Sequence, residues 1–181
     1  MLQTTTTTFS KSPALKPYYI WKKGKDGKLP NNWPSKFGGP AWQYVDQFDE
    51  YYLHLFDPTQ ADLDWTNPDV RQELVNVLKF WIEKGVAGFR FDVINLIDKV
   101  SFADAPAGSE GKEFYTDGPK VGQYLPQVYE EALSQVDPMT VGEMSATTVK
   151  KCAGYSKPEN EELSMCFNFH HLKVDYKDKQ K

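Results

Sequence analysis

Helical and extended patterns alternate from Asn67 onward, and this alternation constrains the fold more than any other feature. Apolar residues at helical spacing predict an amphipathic helix that starts at the N-cap Asn67 and stops at Gly85. The alternating segments 88–94 and 139–144 predict strands. Further helices are predicted over 119–136 and 147–155, and a third strand over 163–172. This order is typical of an α/β fold with a parallel sheet and right-handed crossovers.

The chain before this point has a different character. Residues 1–17 carry a threonine run and little that could pack, so we expect a disordered leader. Residues 18–65 are rich in aromatic residues, Gly, Pro and Asn, which predicts a loop-rich layer with short strands at most. Long ordered loops of this kind are usually functional. The sequence therefore predicts a leader, a loop-rich segment over 18–65 and an α/β region over 66–181.

Composition excludes several classes of protein. The chain has 181 residues, a formal net charge of −4 and 40% hydrophobic residues, a profile that is neither membrane-spanning nor disordered. The mildly acidic balance argues against nucleic acid as a partner, and we expect no membrane partner. Cys152 and Cys166 form no Cys-x-x-Cys pair, which favours two reduced thiols and a cytoplasmic location. No metal-ligand spacing occurs, so we expect neither a metal nor a cofactor.

Two carboxylates stand near the ends of the first two predicted strands. Arg90 and Asp92 share one face of the first strand, and Glu143 ends the second at a matching position. Retaining glycoside hydrolysis needs such a pair, with one carboxylate as nucleophile and the other as acid and base. Arg90 would favour the ionised Asp92, whereas burial or the neighbouring charge would keep Glu143 protonated. The alternative is that Arg90 and Asp92 form an ion pair that only holds the strand register.

Three motifs resemble the α-amylase family of glycoside hydrolases (family 13). GFRFDVINLI resembles its nucleophile motif, VGEM its general-acid motif, and QADLDW the end of its inserted domain B. The resemblance implies that the chain contains the tail of domain B, followed by part of a (β/α)₈ TIM barrel, about strands four to six. It implies Asp92 as the nucleophile, Glu143 as the acid and base, and Arg90 as their support. Val93 resembles the oligo-1,6-glucosidase branch.

Other segments resemble a branch of this family that hydrolyses trehalose 6-phosphate. These are KDGKLPNNWPSKFGG, FYTDGP and FNFHHLKVDY. The last contains His170 and Lys173, where neutral-sugar relatives tend to carry acidic residues, and a cation there suits an anionic phosphate. The resemblance also implies that Phe37, Phe56 and Gln60 line the glucose subsite. The expected partner is therefore a small phosphorylated disaccharide.

The length leaves three functions open. A complete barrel takes about 250 residues, so we expect an internal fragment that is marginally stable and inactive alone. The third catalytic carboxylate of the family would lie outside this chain. The fragment would belong to an α-glucosidase that hydrolyses trehalose 6-phosphate to glucose and glucose 6-phosphate. The alternatives are an oligo-1,6-glucosidase fragment and a truncated product without function.

Overall fold

The computed structural model describes residues 13–160 and 162–169. These residues form an α/β fold with two separate three-stranded sheets. The chain divides into two compact units. The first comprises residues up to Val70 together with Ser101–Phe114, and the second comprises Arg71–Val100 and Tyr115 onward. Within the described residues, none of the helices has the length and apolarity needed to cross a membrane.

The first unit contains a small antiparallel sheet. Its strands are β1 (Trp21–Lys22), β2 (Trp42–Val45) and β3 (Glu50–Leu53), and β3 lies in the middle. Turns and bends lie between these short strands. The core beneath them is largely aromatic, and several of its side chains are almost completely buried: Trp33, Trp42, Tyr52, Leu53 and Leu55.

Residues 101–114 lie in the first unit, although the sequence placed them in the α/β region. Trp33 explains this difference, because its ring stacks on Phe102 and Phe114 at centroid distances of 5.8 and 6.1 Å. Its indole Nε1 also donates a hydrogen bond to the carbonyl oxygen of Ala103. These contacts join residues far apart in the sequence, so a local pattern does not reveal them.

The prediction of a disordered leader over residues 1–17 is wrong for the last of these residues. Pro13–Tyr18 forms a 3₁₀ helix, while residues 1–12 lie outside the described part of the chain. The Lys16 side chain fixes this helix, since its ammonium pairs with Glu50 and lies 4.7 Å from the centre of the Phe48 ring. The Trp21 indole also donates to the Lys16 carbonyl oxygen.

The second unit contains a parallel sheet in the order β4, β5, β6. Its strands are β4 (Gly88–Phe91), β5 (Met139–Met144) and β6 (Met165–Asn168). The predicted strand over 88–94 is too long, because Val93 takes a left-handed conformation and a 3₁₀ turn follows at Ile94–Leu96. The prediction for 139–144 is confirmed, and the strand expected over 163–172 is shorter in its described part.

Among the described helices, three fall where the periodicity placed them, with shifted ends, whereas the short helix α2 was not predicted. They are α1 (Pro68–Glu83), α2 (Lys112–Tyr115), α3 (Val121–Val128) and α4 (Val149–Tyr155). Asn67 is the N-cap of α1, as predicted, because its side-chain oxygen accepts from the Asp69 amide at 2.9 Å. Pro126 lies inside α3, which passes into a π turn at Tyr129–Leu133 instead of continuing as one helix.

Candidate active site

The parallel pairing of β4 with β5 brings the predicted catalytic side chains to one edge of the sheet. Arg90 lies opposite Val141 and Phe91 opposite Gly142, so Asp92 and Glu143 follow at matching heights. Because parallel strands end at the same edge, their terminal side chains converge there. The sequence-based expectation that the two acids lie close together therefore agrees with the structure.

One guanidinium contacts both acids. Arg90 Nη2 donates to Asp92 Oδ1 at 3.0 Å, and the same nitrogen donates to Glu143 Oε2. Two oxygens that share one nitrogen are at most about 6 Å apart at ordinary hydrogen-bond lengths. That range includes the separation of about 5–5.5 Å that retaining glycosidases use. The geometry therefore allows both carboxyl groups to act on one bond.

The three side chains differ in their exposure to solvent. Glu143 is 12% exposed, Asp92 35% and Arg90 52%. Glu143 is therefore the most enclosed of the three side chains, and it contacts the Arg90 guanidinium. Asp92 is more open and can receive an incoming ligand.

The ring of Phe167 on β6 also contacts Arg90. The guanidinium carbon lies 5.9 Å from the ring centre, a cation–π distance. Phe167 pairs with Glu143 in the β5–β6 register. All three strands of the parallel sheet therefore contribute a side chain to the surroundings of the guanidinium.

Val93 has a strained backbone directly after Asp92. Its φ and ψ are 40° and 41°, a left-handed conformation that β-branched residues rarely adopt. Such outliers cluster at functional sites, where surrounding structure maintains them. The strain ends β4 at this point and turns the chain into the 3₁₀ turn at Ile94–Leu96.

A polar network, which was not predicted from the sequence, joins the segments that follow β4 and β5. Asn95 is fully buried, and its side chain bonds both the amide and the carbonyl oxygen of Ser145. It also donates to Asp117 Oδ1 at 3.0 Å. The signal that could have found it is an asparagine inside the apolar run from Val93 to Ile97.

Asp117 receives further hydrogen bonds from the loop and helix that follow β5. Thr147 Oγ1 donates to its Oδ2 at 2.5 Å, and the Tyr155 hydroxyl donates to its Oδ1 at 3.0 Å. Burial raises the pKa of Tyr155, and the negative charge of Asp117 raises it further. The hydroxyl therefore keeps its proton and remains a hydrogen-bond donor.

Two of the residues expected at a glucose subsite, Phe37 and Phe56, meet in the first unit. The Phe37 and Phe56 rings meet edge to face, with centroids 5.8 Å apart, and Phe37 is 71% exposed. The side-chain oxygen of Gln60 accepts a hydrogen bond from the backbone amide of Asp57, which directly follows Phe56. His170 and Lys173, expected near the phosphate, lie outside the described residues.

His54 is buried, and its Nδ1 lies 3.0 Å from the Phe56 carbonyl oxygen. This contact accounts for the histidine as a packing residue of the first unit. Across residues 13–160 and 162–169, no group of three or more His, Cys, Asp or Glu side chains could hold a metal ion. Cys152 is buried and Cys166 is partly buried, and both are free thiols.

Comparison with protein families identifies the class. Residues 3–181 match the Alpha-amylase family, described as alpha amylase, catalytic domain. The chain therefore belongs to the alpha-amylase catalytic domain family.

Two curated relatives show where in this family the chain is similar. A trehalose-6-phosphate hydrolase from Bacillus subtilis (strain 168) is 54% identical over 166 residues, covering 91% of this chain and 29% of the relative. An oligo-1,6-glucosidase from Parageobacillus thermoglucosidasius is 46% identical over 174 residues, covering 92% of this chain and 31% of the relative. The chain thus spans about 30% of the length of these relatives.

A solved structure agrees with the sequence comparisons. The crystal structure of Bacillus licheniformis trehalose-6-phosphate hydrolase matches with a TM-score of 0.85 and 52% identity. The match covers 89% of this chain and 29% of that chain. The fold described above is therefore similar to a segment of a larger enzyme of the same family.

Proposed function

We propose that the chain supplies the nucleophile and the acid–base residue of a retaining α-glucosidase that hydrolyses trehalose 6-phosphate to glucose and glucose 6-phosphate. One observation carries the proposal: Asp92 and Glu143, from adjacent strands, both contact Arg90 Nη2. A pair held at this spacing suits the two-step mechanism better than it suits a purely structural ion pair.

The proposed chemistry runs in two steps. A carboxylate oxygen of Asp92 attacks the anomeric carbon while the glycosidic C–O bond breaks, and the proton of Glu143 passes to the leaving oxygen. This forms a glycosyl ester on Asp92. Glu143, now ionised, then takes a proton from water, whose oxygen attacks the anomeric carbon and releases the Asp92 carboxylate.

Arg90 must change its contacts in this mechanism. Its ion pair with Glu143 favours the ionised carboxyl group, whereas the first step needs the protonated form. We propose that the sugar takes the place of the contact between Arg90 and Glu143 when it enters. Arg90 then remains beside Asp92 and favours the ionised nucleophile.

The order of the strands supports a place in the barrel. We propose that β4, β5 and β6 are about the fourth to sixth strands of a (β/α)₈ barrel, with 66–181 as partial barrel and 18–65 as a segment of the inserted domain B. The three strands are parallel and adjacent in chain order, and helical segments lie between them, as in such barrels. The carboxyl ends of barrel strands carry the chemistry, and Asp92 and Glu143 lie there.

The substrate class rests on the relatives and on the sequence. Both trehalose-6-phosphate hydrolases named above are more than half identical to this chain over the matched region. We propose that Lys173, with His170, binds the phosphate, and that Phe37, Phe56 and Gln60 line the glucose subsite. A cytoplasmic location would suit a phosphorylated sugar.

The second candidate is an oligo-1,6-glucosidase. It is favoured by the 46% identity to the Parageobacillus thermoglucosidasius relative and by Val93 after the proposed nucleophile. The two candidates share every proposed catalytic residue, so the substrate alone separates them.

The test uses a family-length chimera, in which this chain replaces the matched segment of the Bacillus subtilis relative. Hydrolysis of trehalose 6-phosphate and of isomaltose is measured side by side. We expect faster hydrolysis of trehalose 6-phosphate, and replacing Lys173 by Ala should raise KM for this sugar and not for isomaltose. Preference for isomaltose would support the oligo-1,6-glucosidase. A folded chimera inactive on both sugars would favour a truncated product without function.

A further inference from the structure

We infer that Asn95 is a positioning residue that fixes the distance between Asp92 and Glu143 by tying the segment after β4 to the segment after β5. The inference rests on the proposed function, since the distance matters only if the two acids act together. Asn95 lies three residues after the proposed nucleophile, and its partner Ser145 lies two residues after the proposed acid. It touches neither carboxylate and acts through the backbone.

The Asn95 side chain holds the Ser145 backbone through two hydrogen bonds, which we call the clamp. The clamp needs both the donor and the acceptor of a carboxamide. Asn95 Oδ1 accepts from the Ser145 amide at 2.9 Å, and Asn95 Nδ2 donates to the Ser145 carbonyl oxygen at 2.8 Å. One planar side chain therefore satisfies both backbone groups of one residue, in the way that a neighbouring strand would. The clamp extends the pairing of β4 with β5 beyond the last ladder position, Phe91 with Gly142.

The backbone of Asn95 strengthens the same connection. Its carbonyl oxygen accepts from the Asp117 amide at 2.9 Å, while its Nδ2 donates to the Asp117 carboxylate. Asp117 in turn receives hydrogen bonds from Thr147 and Tyr155. The segment after β5 is thus held at Ser145 and at Thr147, on either side of Ala146, whose φ is 53°.

Burial makes each of these bonds matter. Asn95 is 0% exposed, so the polar atoms of a side chain at this position depend on protein partners and not on water. The strained Val93 lies between Asp92 and the clamp, and it needs surrounding structure to maintain its conformation. Loss of the clamp would let both carboxylates move, and a misplacement of about 1 Å can lower a rate about 100-fold.

Hydrogen exchange tests the clamp without any substitution and without activity. We expect the Ser145 amide to exchange as slowly as the β5 amides, both in this chain and in the family-length chimera. An amide that exchanges as fast as an unprotected loop amide in the folded chimera would overturn the inference. Because the measurement does not depend on turnover, it separates a failed clamp from a failed assignment of function.

Substitution tests the effect on catalysis. In the chimera, Asn95→Ala and Asn95→Asp should each lower kcat about 100-fold, with KM changed by less than about threefold. Asn95→Asp keeps the volume and one acceptor, loses both donor bonds and places a second carboxylate beside Asp117. A residue needed only for its packing volume would tolerate that change, so normal turnover in Asn95→Asp overturns the inference.

Asn31 offers a matched control in the first unit. It is 3% exposed, and its side chain also makes three hydrogen bonds, with Trp33, Trp42 and Phe102. Asn31→Asp should lower the unfolding temperature and leave kcat nearly unchanged below it. An equal loss of kcat in Asn31→Asp and Asn95→Asp would show a general effect of destabilisation and would overturn the positioning role.

Discussion

The two compact units differ in how many of their large apolar side chains are exposed to solvent. In the first unit, the middle strand β3 carries Tyr52 and Leu53, which are fully buried. In the second unit, the middle strand β5 also carries buried residues, Thr140 and Met144, whereas the edge strand β4 carries none and its Arg90 is exposed. Large apolar side chains of the second unit also face solvent: Val77, Phe80, Trp81, Val136, Met139 and Val149.

This difference shows which unit is less covered. Antiparallel sheets tolerate one solvated face, whereas parallel sheets occur almost only with both faces covered. Within the described residues, the edge strand β4 and the outer face of α1 in the second unit remain exposed, with Phe80 and Trp81 about half exposed. We propose that other segments of the family domain cover β4 and α1. The proposed chemistry thus lies in the less covered unit, and each prediction below tests that contrast.

The largest effect is expected at the proposed nucleophile. Asp92→Asn in the family-length chimera should lower kcat for trehalose 6-phosphate by at least about 10⁴-fold, because the amide cannot attack the anomeric carbon. Steady-state kinetics measures this directly. Asp26→Asn, at an exposed position of the first unit, is the control and should leave kcat unchanged. Similar rates for the two variants would contradict the proposal that the second unit supplies the nucleophile.

The next effect compares the packing of the two units. Tyr52→Ala should lower the free energy of unfolding by about 3–5 kcal/mol, since the ring is fully buried among Tyr19, Trp21 and His54. Its hydroxyl would also stop donating to the Pro58 carbonyl oxygen. Urea unfolding of the folded chain or chimera, followed by circular dichroism, measures the loss.

Phe80→Ala is the matched change in the second unit. Phe80 is half exposed, so its removal from this chain should cost about 1 kcal/mol or less. The same substitution should cost more in the chimera if further family segments cover α1. Equal costs of Tyr52→Ala and Phe80→Ala in this chain would contradict the contrast in burial.

The alkylation rate of one thiol in the second unit should differ between the folded and the unfolded protein, because folding changes the pKa of this thiol. Burial, and after it the neighbouring Cys152, raise the pKa of Cys166 to about 12. Iodoacetamide at pH 8 should therefore label Cys166 at least about tenfold more slowly in the folded protein than in urea, because only the thiolate reacts. Cys166→Ser assigns the signal, and fast labelling of the folded protein would show that this part of the unit is open.

The same raised pKa predicts how stability changes with pH. A group that holds its proton more tightly when folded stabilises the protein fully below its unfolded pKa, near 9. That contribution is lost as pH rises towards about 12. Unfolding measured at pH 8 and pH 10 should show the loss, and Cys166→Ser should reduce it. A loss of the same size in Cys166→Ser would assign the effect to other groups.

The smallest effect is expected at the start of α4. The Thr148 hydroxyl oxygen accepts from the Lys151 amide at 3.2 Å, so Thr148→Ala should destabilise the protein by about 1 kcal/mol. Thr148→Ser keeps the hydroxyl and should restore most of the stability. Thermal unfolding of both variants measures the difference. If Ala and Ser behave alike, the cap does not contribute.

Local patterns predicted the parts of the fold that depend on neighbouring residues. The N-cap Asn67, strand β5 and the convergence of Asp92 with Glu143 all follow from spacing and from the parallel geometry. The sequence did not reveal that residues 101–114 pack with Trp33, because stacking partners so far apart leave no periodic signal. Asn95 escaped notice for the same reason, since its hydrogen bonds reach Asp117 and Ser145.

The packing of residues 101–114 in the first unit also has a consequence for folding during synthesis on the ribosome. This segment lies between β4 and β5, so β4 emerges well before the one strand that pairs with it in the described residues. At roughly 5–20 residues per second, β4 waits roughly three to ten seconds for that partner. During this interval the edge of β4 that later pairs with β5 has no partner among the described residues, and an unpaired strand edge is a template for pairing with another chain.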